Sequence, residues 1–205
     1  WGNMEQHSSV LVADELEVVG KKELGAEACW TLSTAKPGNG VEQLRDDNVE
    51  TYWQSDGAQP HSITVHFGTK VTVSEVCLFL DFGLDESYTP KRVAVKAGTT
   101  LHDLVDVRVV ELHEPSGWVV IPLSAPGAPT AAPAGGADAG ADGAPPRPLR
   151  AHLLTICIQA MHQNGRDTHI RLCRVYGPRQ APVVLGRVPV DSFRTPDMTQ
   201  FATIR

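Results

Sequence analysis

The sequence predicts an all-β fold, an antiparallel sandwich or barrel, on three observations. Seven segments show the alternation or the β-branched richness of short strands, and turn residues separate them. No interval between them carries a periodic run long enough for the crossover helix of a parallel sheet. At 205 residues and 41% hydrophobic content, the chain can bury one principal core and is too short for two large ones.

SITVHF (62–67) sets Ile63, Val65 and Phe67 against Ser62, Thr64 and His66, the period of a half-buried strand. VSEVCLFL (73–80), RVAVKAG (92–98), LVDVRVVEL (104–112), GWVVIPL (117–123), HLLTICIQA (152–160) and HIRLCRVY (169–176) continue the pattern. Residues 14–24 and 40–47 are the helix candidates, both on the N-terminal side. From 124 to 148 the chain is almost entirely Ala, Pro, Gly and Asp, which cannot bury enough apolar area to offset ordering entropy. That stretch is expected to be a disordered insertion, a long hairpin-type connection between GWVVIPL and HLLTICIQA inside one domain. Residues 177–205, rich in Pro and Arg, are expected to form an extended tail.

The formal net charge of -6 comes without a Lys/Arg stripe to neutralise phosphates, so no nucleic-acid partner is expected. No apolar run approaches the roughly 18–20 residues of a membrane helix, and the opening WGNMEQHSSV lacks the basic start and apolar stretch of a signal peptide. A soluble, intracellular chain is expected. Cys29, Cys77, Cys157 and Cys173 lie far apart, each within or beside an apolar run, and read as reduced core residues; the short ligand spacing of a four-cysteine zinc site is absent.

Three polar clusters interrupt the strands. DDNVETYWQSDGAQPH (46–61) offers Tyr52 and Trp53 as stiff contact area, with Gln54, Ser55, Asp56, Gln59 and His61 as donors and acceptors around them. Either it is a binding surface, or the aromatics plug one end of a core while the polar residues close turns at Gly57 and Pro60. MHQNGRDTH (161–169) displays His162, Gln163, Arg166, Asp167 and His169 around an Asn164-Gly165 turn, and DESYTP (85–90) holds Ser87 and Tyr88 ahead of a strand. Alternate loops of an antiparallel sandwich project from one end, which would bring the three together.

The strings KPGNGVEQLRDDNVETYWQSDGAQPH (36–61), DESYTP (85–90), EPSGW (114–118) and HQNGRDTHIR (162–171) closely resemble the Doc domain, and specifically the small Doc-domain subunit of the anaphase-promoting complex. The resemblance spans roughly residues 23–176, leaving 1–22 as a leader expected to be partly helical and 177–205 as the tail; the 124–148 insertion is longer and more biased than the family's usual connection. It implies a galactose-binding-like jelly-roll β-sandwich in a non-catalytic subunit without cofactor or metal. The implied role is substrate recognition: with a propeller coactivator, the subunit forms a shared receptor for destruction-box degrons and raises the processivity of ubiquitination, in the nucleus and cytoplasm. The terminal Ile204-Arg205 resembles the pair by which the free-standing subunit docks into a tetratricopeptide-repeat subunit.

The degron-binding rim implied by the resemblance comprises Asp56, Gln59 and His61, Ser87 and Tyr88, and His162, Gln163, Asn164, Arg166 and Asp167. Plainer roles stand beside these. Asp46, Asp47 and Asn48 suit a helix end or turn, Trp53 and Trp118 suit packing, and Arg166 with Asp167 suits an internal pair. Other function classes are a glycan-binding module, a purely architectural subunit, and a hydrolase using Asp56, His61, Asp167 and His169, for which no nucleophile elbow or HExxH string is present.

Overall fold

The structure is a computed structural model that describes residues 11–125 and 148–179. Most of the leader's first half, nearly all of the 124–148 insertion and nearly all of the tail, including Ile204 and Arg205, lie outside the described residues.

Within the described residues, the strands are β1 (Leu11–Ala13), β2 (Lys21–Glu23), β3 (Cys29–Leu32), β4 (Trp53–Gln54), β5 (His61–Val73), β6 (Glu75–Asp81), β7 (Pro90–Gly98), β8 (Val105–Glu111), β9 (Ser116–Pro122), β10 (Leu149–Met161), β11 (His169–Ile170) and β12 (Leu172–Pro178). Two short helices accompany them, α1 (Val41–Arg45) and α2 (Phe82–Asp85). One five-stranded sheet runs β1-β9-β6-β12-β2 and a second runs β3-β5-β10-β7-β8, every pairing antiparallel. β4 and β11 form a two-stranded ribbon.

Alternation builds the core between the two large sheets. Val76, Leu78, Leu80, Val119, Ile121 and Val175 of the first meet Ile63, Val65, Val93, Val95, Leu154, Ile156 and Ile158 of the second in one buried cluster. Each such side chain contributes about 1.5–3 kcal/mol on burial. On the outer face of the first sheet, Phe79 and Trp118 pack edge to face at 5.3 Å.

The seven expected strands are present, with three corrections. Residues 14–24 form no helix: Gly20 takes a positive φ of 74°, and Lys21–Glu23 pair instead with Tyr176–Pro178 at the edge of the first sheet. Backbone bonding to a distant strand outweighs a weak local helical pattern there. The 124–148 connection is no hairpin either, because β9 and β10 lie in different sheets, so the chain crosses the sandwich between them. The run 169–176 divides into β11 and β12 at Arg171, whose side chain is drawn into a buried ion pair. The second expected helix is α1, where Gln43 Oε1 accepts from Gly40 N at 2.9 Å. Of the cysteines, Cys77 and Cys173 are buried, and burial pushes the Cys173 thiol up to about 12; Cys29 is exposed and Cys157 half-buried, contrary to the reading of all four as core.

Candidate functional site

The three polar clusters meet at one end of the sandwich, and the bonds joining them are mostly to backbone. Gln59 Nε2 donates to the carbonyls of Gly165 (2.9 Å) and Arg166 (3.2 Å), and His61 Nε2 donates to that of Arg166 at 2.8 Å. Ser55 and Thr168 exchange two bonds, Ser55 N to the Thr168 carbonyl and Thr168 N to Ser55 Oγ. The second and third clusters are tied by His162 N donating to the Thr89 carbonyl and Thr168 Oγ1 to that of Tyr88. Gly165 is required by this approach: a Cβ there would collide with the Ser87 carbonyl. Positive φ falls on Gln163 (52°) and Asn164 (55°) ahead of it, within a single 3-10 turn, and not on a two-residue hairpin.

Beneath the loops lies a buried ionic node. α2 begins where Asp81 Oδ1 accepts from Gly83 N and Leu84 N, and its last residue, Asp85, turns inward. Arg171 grips both Asp85 oxygens, Nε to Oδ2 and Nη2 to Oδ1 at 2.9 Å each, while Nη1 donates to the Val49 carbonyl at 2.7 Å. His169 Nδ1 completes the carboxylate's bonding at 3.0 Å. Burial alone would push the Asp85 carboxyl up, but hydrogen bonds from His169 and Arg171 and the Arg171 charge hold it below its usual value of 3.8. One guanidinium thus joins all three clusters: the first through Val49, the second through Asp85, and the third through the Asp85 bond to His169.

Above the node, the His169 ring is stacked between Tyr52 and Tyr88, with centroids 4.2 Å away on either side. These rings border an open cleft of about 410 Å³, walled also by Leu84, Glu86 and Glu50. Among the described residues, five of the six buried side-chain polar atoms without a protein hydrogen-bond partner, including His61 Nδ1, His162 Nε2 and Asp167 Oδ1, lie at this end, so the polar capacity beneath the surface is concentrated here.

Of the residues read from the sequence as a rim, Asp56, Gln59, Tyr88, Gln163, Asn164 and Arg166 are exposed, and Ser87 and Asp167 are half-exposed. His61 and His162 are buried, at 0% and 9% exposure, and support the loops from beneath. His61 shares its strand face with Ile63, Val65 and Phe67, which explains its burial. Burial, with the nearby Lys91 charge, holds the His162 imidazole below its usual 6.5. Arg166 and Asp167 form no ion pair, and Asp85 and the Arg166 carbonyl, not Asp56 or Asp167, are the partners of His169 and His61. Trp53 is fully buried and its Nε1 donates to the Thr34 carbonyl, while Asp46 caps the turn after α1 by accepting from Asn48 N and Thr51 Oγ1. Sequence reasoning missed the node of Asp85, His169 and Arg171, whose members are 84 and 86 positions apart.

Comparison with known proteins locates this arrangement in a family. The model described as "Anaphase-promoting complex, subunit 10 (APC10)" matches residues 3–201. The chain is 41% identical over 192 residues to anaphase-promoting complex subunit 10 of Homo sapiens, covering 93% of this chain and 92% of that one. It is 42% identical over 194 residues to the Dictyostelium discoideum subunit 10 (95% and 92%) and 30% identical over 176 residues to subunit DOC1 of Saccharomyces cerevisiae (86% and 63%). Among solved structures, the family 32 carbohydrate-binding module of NanJ from C. perfringens, in complex with galactose, superposes with a TM-score of 0.57 at 13% identity, covering 77% of this chain and 99% of that one. The CBM32-1 and CBM32-2 domains of Clostridium perfringens ZmpB give 0.62 at 12% identity, covering 86% and 43%. Those likenesses show the fold alone, a galactose-binding-like jelly roll. The sequence matches, which span nearly the whole chain, show that it belongs to the family of subunit 10 of the anaphase-promoting complex.

Proposed function

We propose that this chain is a non-catalytic substrate-recognition and processivity subunit of the anaphase-promoting complex ubiquitin ligase, and that with a propeller coactivator it forms a shared receptor for destruction-box degrons. The observation that carries this reading is the convergence of three polar loops at one end of a sandwich belonging to this family, fixed by backbone bonds and the Arg171 fork, with Asp56, Gln59, Ser87, Tyr88, Gln163, Asn164 and Arg166 left at or near the surface. A rim of three amides, a serine hydroxyl and a tyrosine, with one carboxylate and one guanidinium at Asp56 and Arg166, suits main-chain and polar contacts to an extended peptide. Ordering a short peptide on one small surface costs free energy, so dividing the degron between two proteins gives tight binding only when both are present. In this reading the coactivator holds the degron's Arg and Leu anchors and the loop end takes the segment that follows. His61 and His162 position the rim and do not touch the peptide.

The same reading gives Ile204 and Arg205 as the anchor into the groove of a tetratricopeptide-repeat subunit, and the nucleus and cytoplasm as its locations. The test uses Asp56→Ala together with Arg166→Ala, since neither side chain has an ion pair or hydrogen bond among the described residues. The double variant is expected to assemble normally and to add several-fold fewer ubiquitins to a destruction-box substrate per encounter. Wild-type processivity in an assembled complex carrying that variant rules out a degron surface at these loops.

A further inference from the structure

We infer that the end of the sandwich opposite the loops is a second docking surface, taking an acidic segment with an apolar side chain from a neighbouring subunit of the complex; this rests on the reading of the chain as a subunit. β5 starts at His61 under the loops and, past a bulge over 67–70, reaches Thr72; their partners Ile158 and Arg150 stand eight residues apart along β10, roughly 26 Å at the rise of a strand. There it borders a cleft of about 610 Å³ with Lys22, Leu24, Lys70 and Arg179 around it and Val71 and Phe67 in its floor.

Charge identifies the occupant. The chain carries a formal net charge of -6, yet this cleft collects Lys22, Lys70 and Arg179 against the single acid Glu27. Glu27 pairs with Lys22 at 3.2 Å, whereas Lys70 and Arg179 have no ion pair among the described residues. With Glu27 paired to Lys22, the cleft keeps an excess of two positive charges at Lys70 and Arg179, and a surface of that sign complements an acidic partner. Three cations on an acidic protein are too few to hold a nucleic acid.

Apolar surface adjoins the cations. Arg179 N donates to the Gly20 carbonyl and Lys21 N to that of Val18, which fixes a turn beside the cleft with Val19 84% exposed and Val18 48% exposed. An apolar pair rimmed by Lys22 and Arg179 has the composition of an interface centre with its charged margin. The walls are rigid. Gly177 brings the two sheets so close that a Cβ there would collide with the Thr72 carbonyl and the Leu24 side chain. Leu24 N is in turn bonded to the Val175 carbonyl. The cleft is therefore a property of the strand packing and is present before any partner arrives.

The test reconstitutes the full-length chain with the complex assembled without it, comparing wild type, Lys70→Glu with Arg179→Glu, and a chain lacking Ile204-Arg205. The charge-reversed chain is expected to keep its thermal midpoint and to be retained at least about tenfold less at moderate salt, with a loss additional to that of the tail deletion. A photo-crosslinker at Val19 is expected to join an acidic stretch of another subunit. Retention of the reversed chain at the wild-type level, or a crosslink only to a second copy or to the chain's own tail, overturns the proposal. Failure of the wild-type chain itself to be retained overturns the reading it rests on.

Discussion

The two ends of this sandwich handle charge in opposite ways. At the loop end, Asp85, Arg171 and His169 are buried and bonded to one another and to backbone, so the charges hold three loops in register and little of them reaches the surface. At the opposite end, Lys70 and Arg179 stand in the open without counter-charges, and the strands hold their shape through backbone and apolar contact. Substitution of a buried loop-end charge, Asp85 or Arg171, should therefore act first on stability, and substitution of a far-end charge on association alone.

The largest effect is expected from Arg171→Leu. It strands the Asp85 carboxylate beneath the loops and frees the Val49 carbonyl, costing about 3–5 kcal/mol, as for other buried pairs broken by removal of one partner. Denaturant unfolding measures it, and a loss under 1 kcal/mol would mean that the node does not hold the loops. Gly165→Ala comes next. The new Cβ forces the third cluster off the Ser87 carbonyl, at a cost of about 1–3 kcal/mol, with a fall in degron binding larger than the stability loss accounts for.

A smaller, pH-dependent difference separates the two ends. The folded-state value of His162 lies below its unfolded 6.5, so its contribution is complete above pH 6.5 and is lost as pH falls through the folded value. Asp85 lies below 3.8 when folded, so the stability it supplies persists through that range and is lost only in stronger acid. Unfolding free energies measured from pH 7 to pH 5 should fall with a slope that His162→Gln reduces and Lys70→Glu leaves alone. The smallest stability effect belongs to Asp56→Ala with Arg166→Ala, within about 0.5 kcal/mol, so any loss of recognition in that variant reports the surface and not the fold.

Much of the fold was legible because a strand declares itself locally: Ile63, Val65 and Phe67 alternate, and they do line the core. The same alternation, carried back one step, includes His61, and its burial was readable from a rule already in use; a histidine's polarity suggested ligand contact instead. Sheet membership was not legible. GWVVIPL and HLLTICIQA look like hairpin partners when only their order is known, whereas their real neighbours, β6 for one and β5 and β7 for the other, are chosen by packing. The helix expected over 14–24 failed for a related reason, since the bonds that make Lys21–Glu23 a strand come from residues near 177. The convergence of the loops was foreseeable from antiparallel geometry. The Asp85 node beneath them was not, because a contact between residues 86 positions apart leaves no periodic trace.

The most direct test of the loop end as half of a shared receptor is a titration of a destruction-box peptide against this protein alone, the propeller coactivator alone, and the two together within the assembled complex. Weak binding to each alone, and binding at least about tenfold tighter to the pair that Gly165→Ala abolishes, is the predicted result. Equal affinity for the coactivator with and without this chain would contradict it.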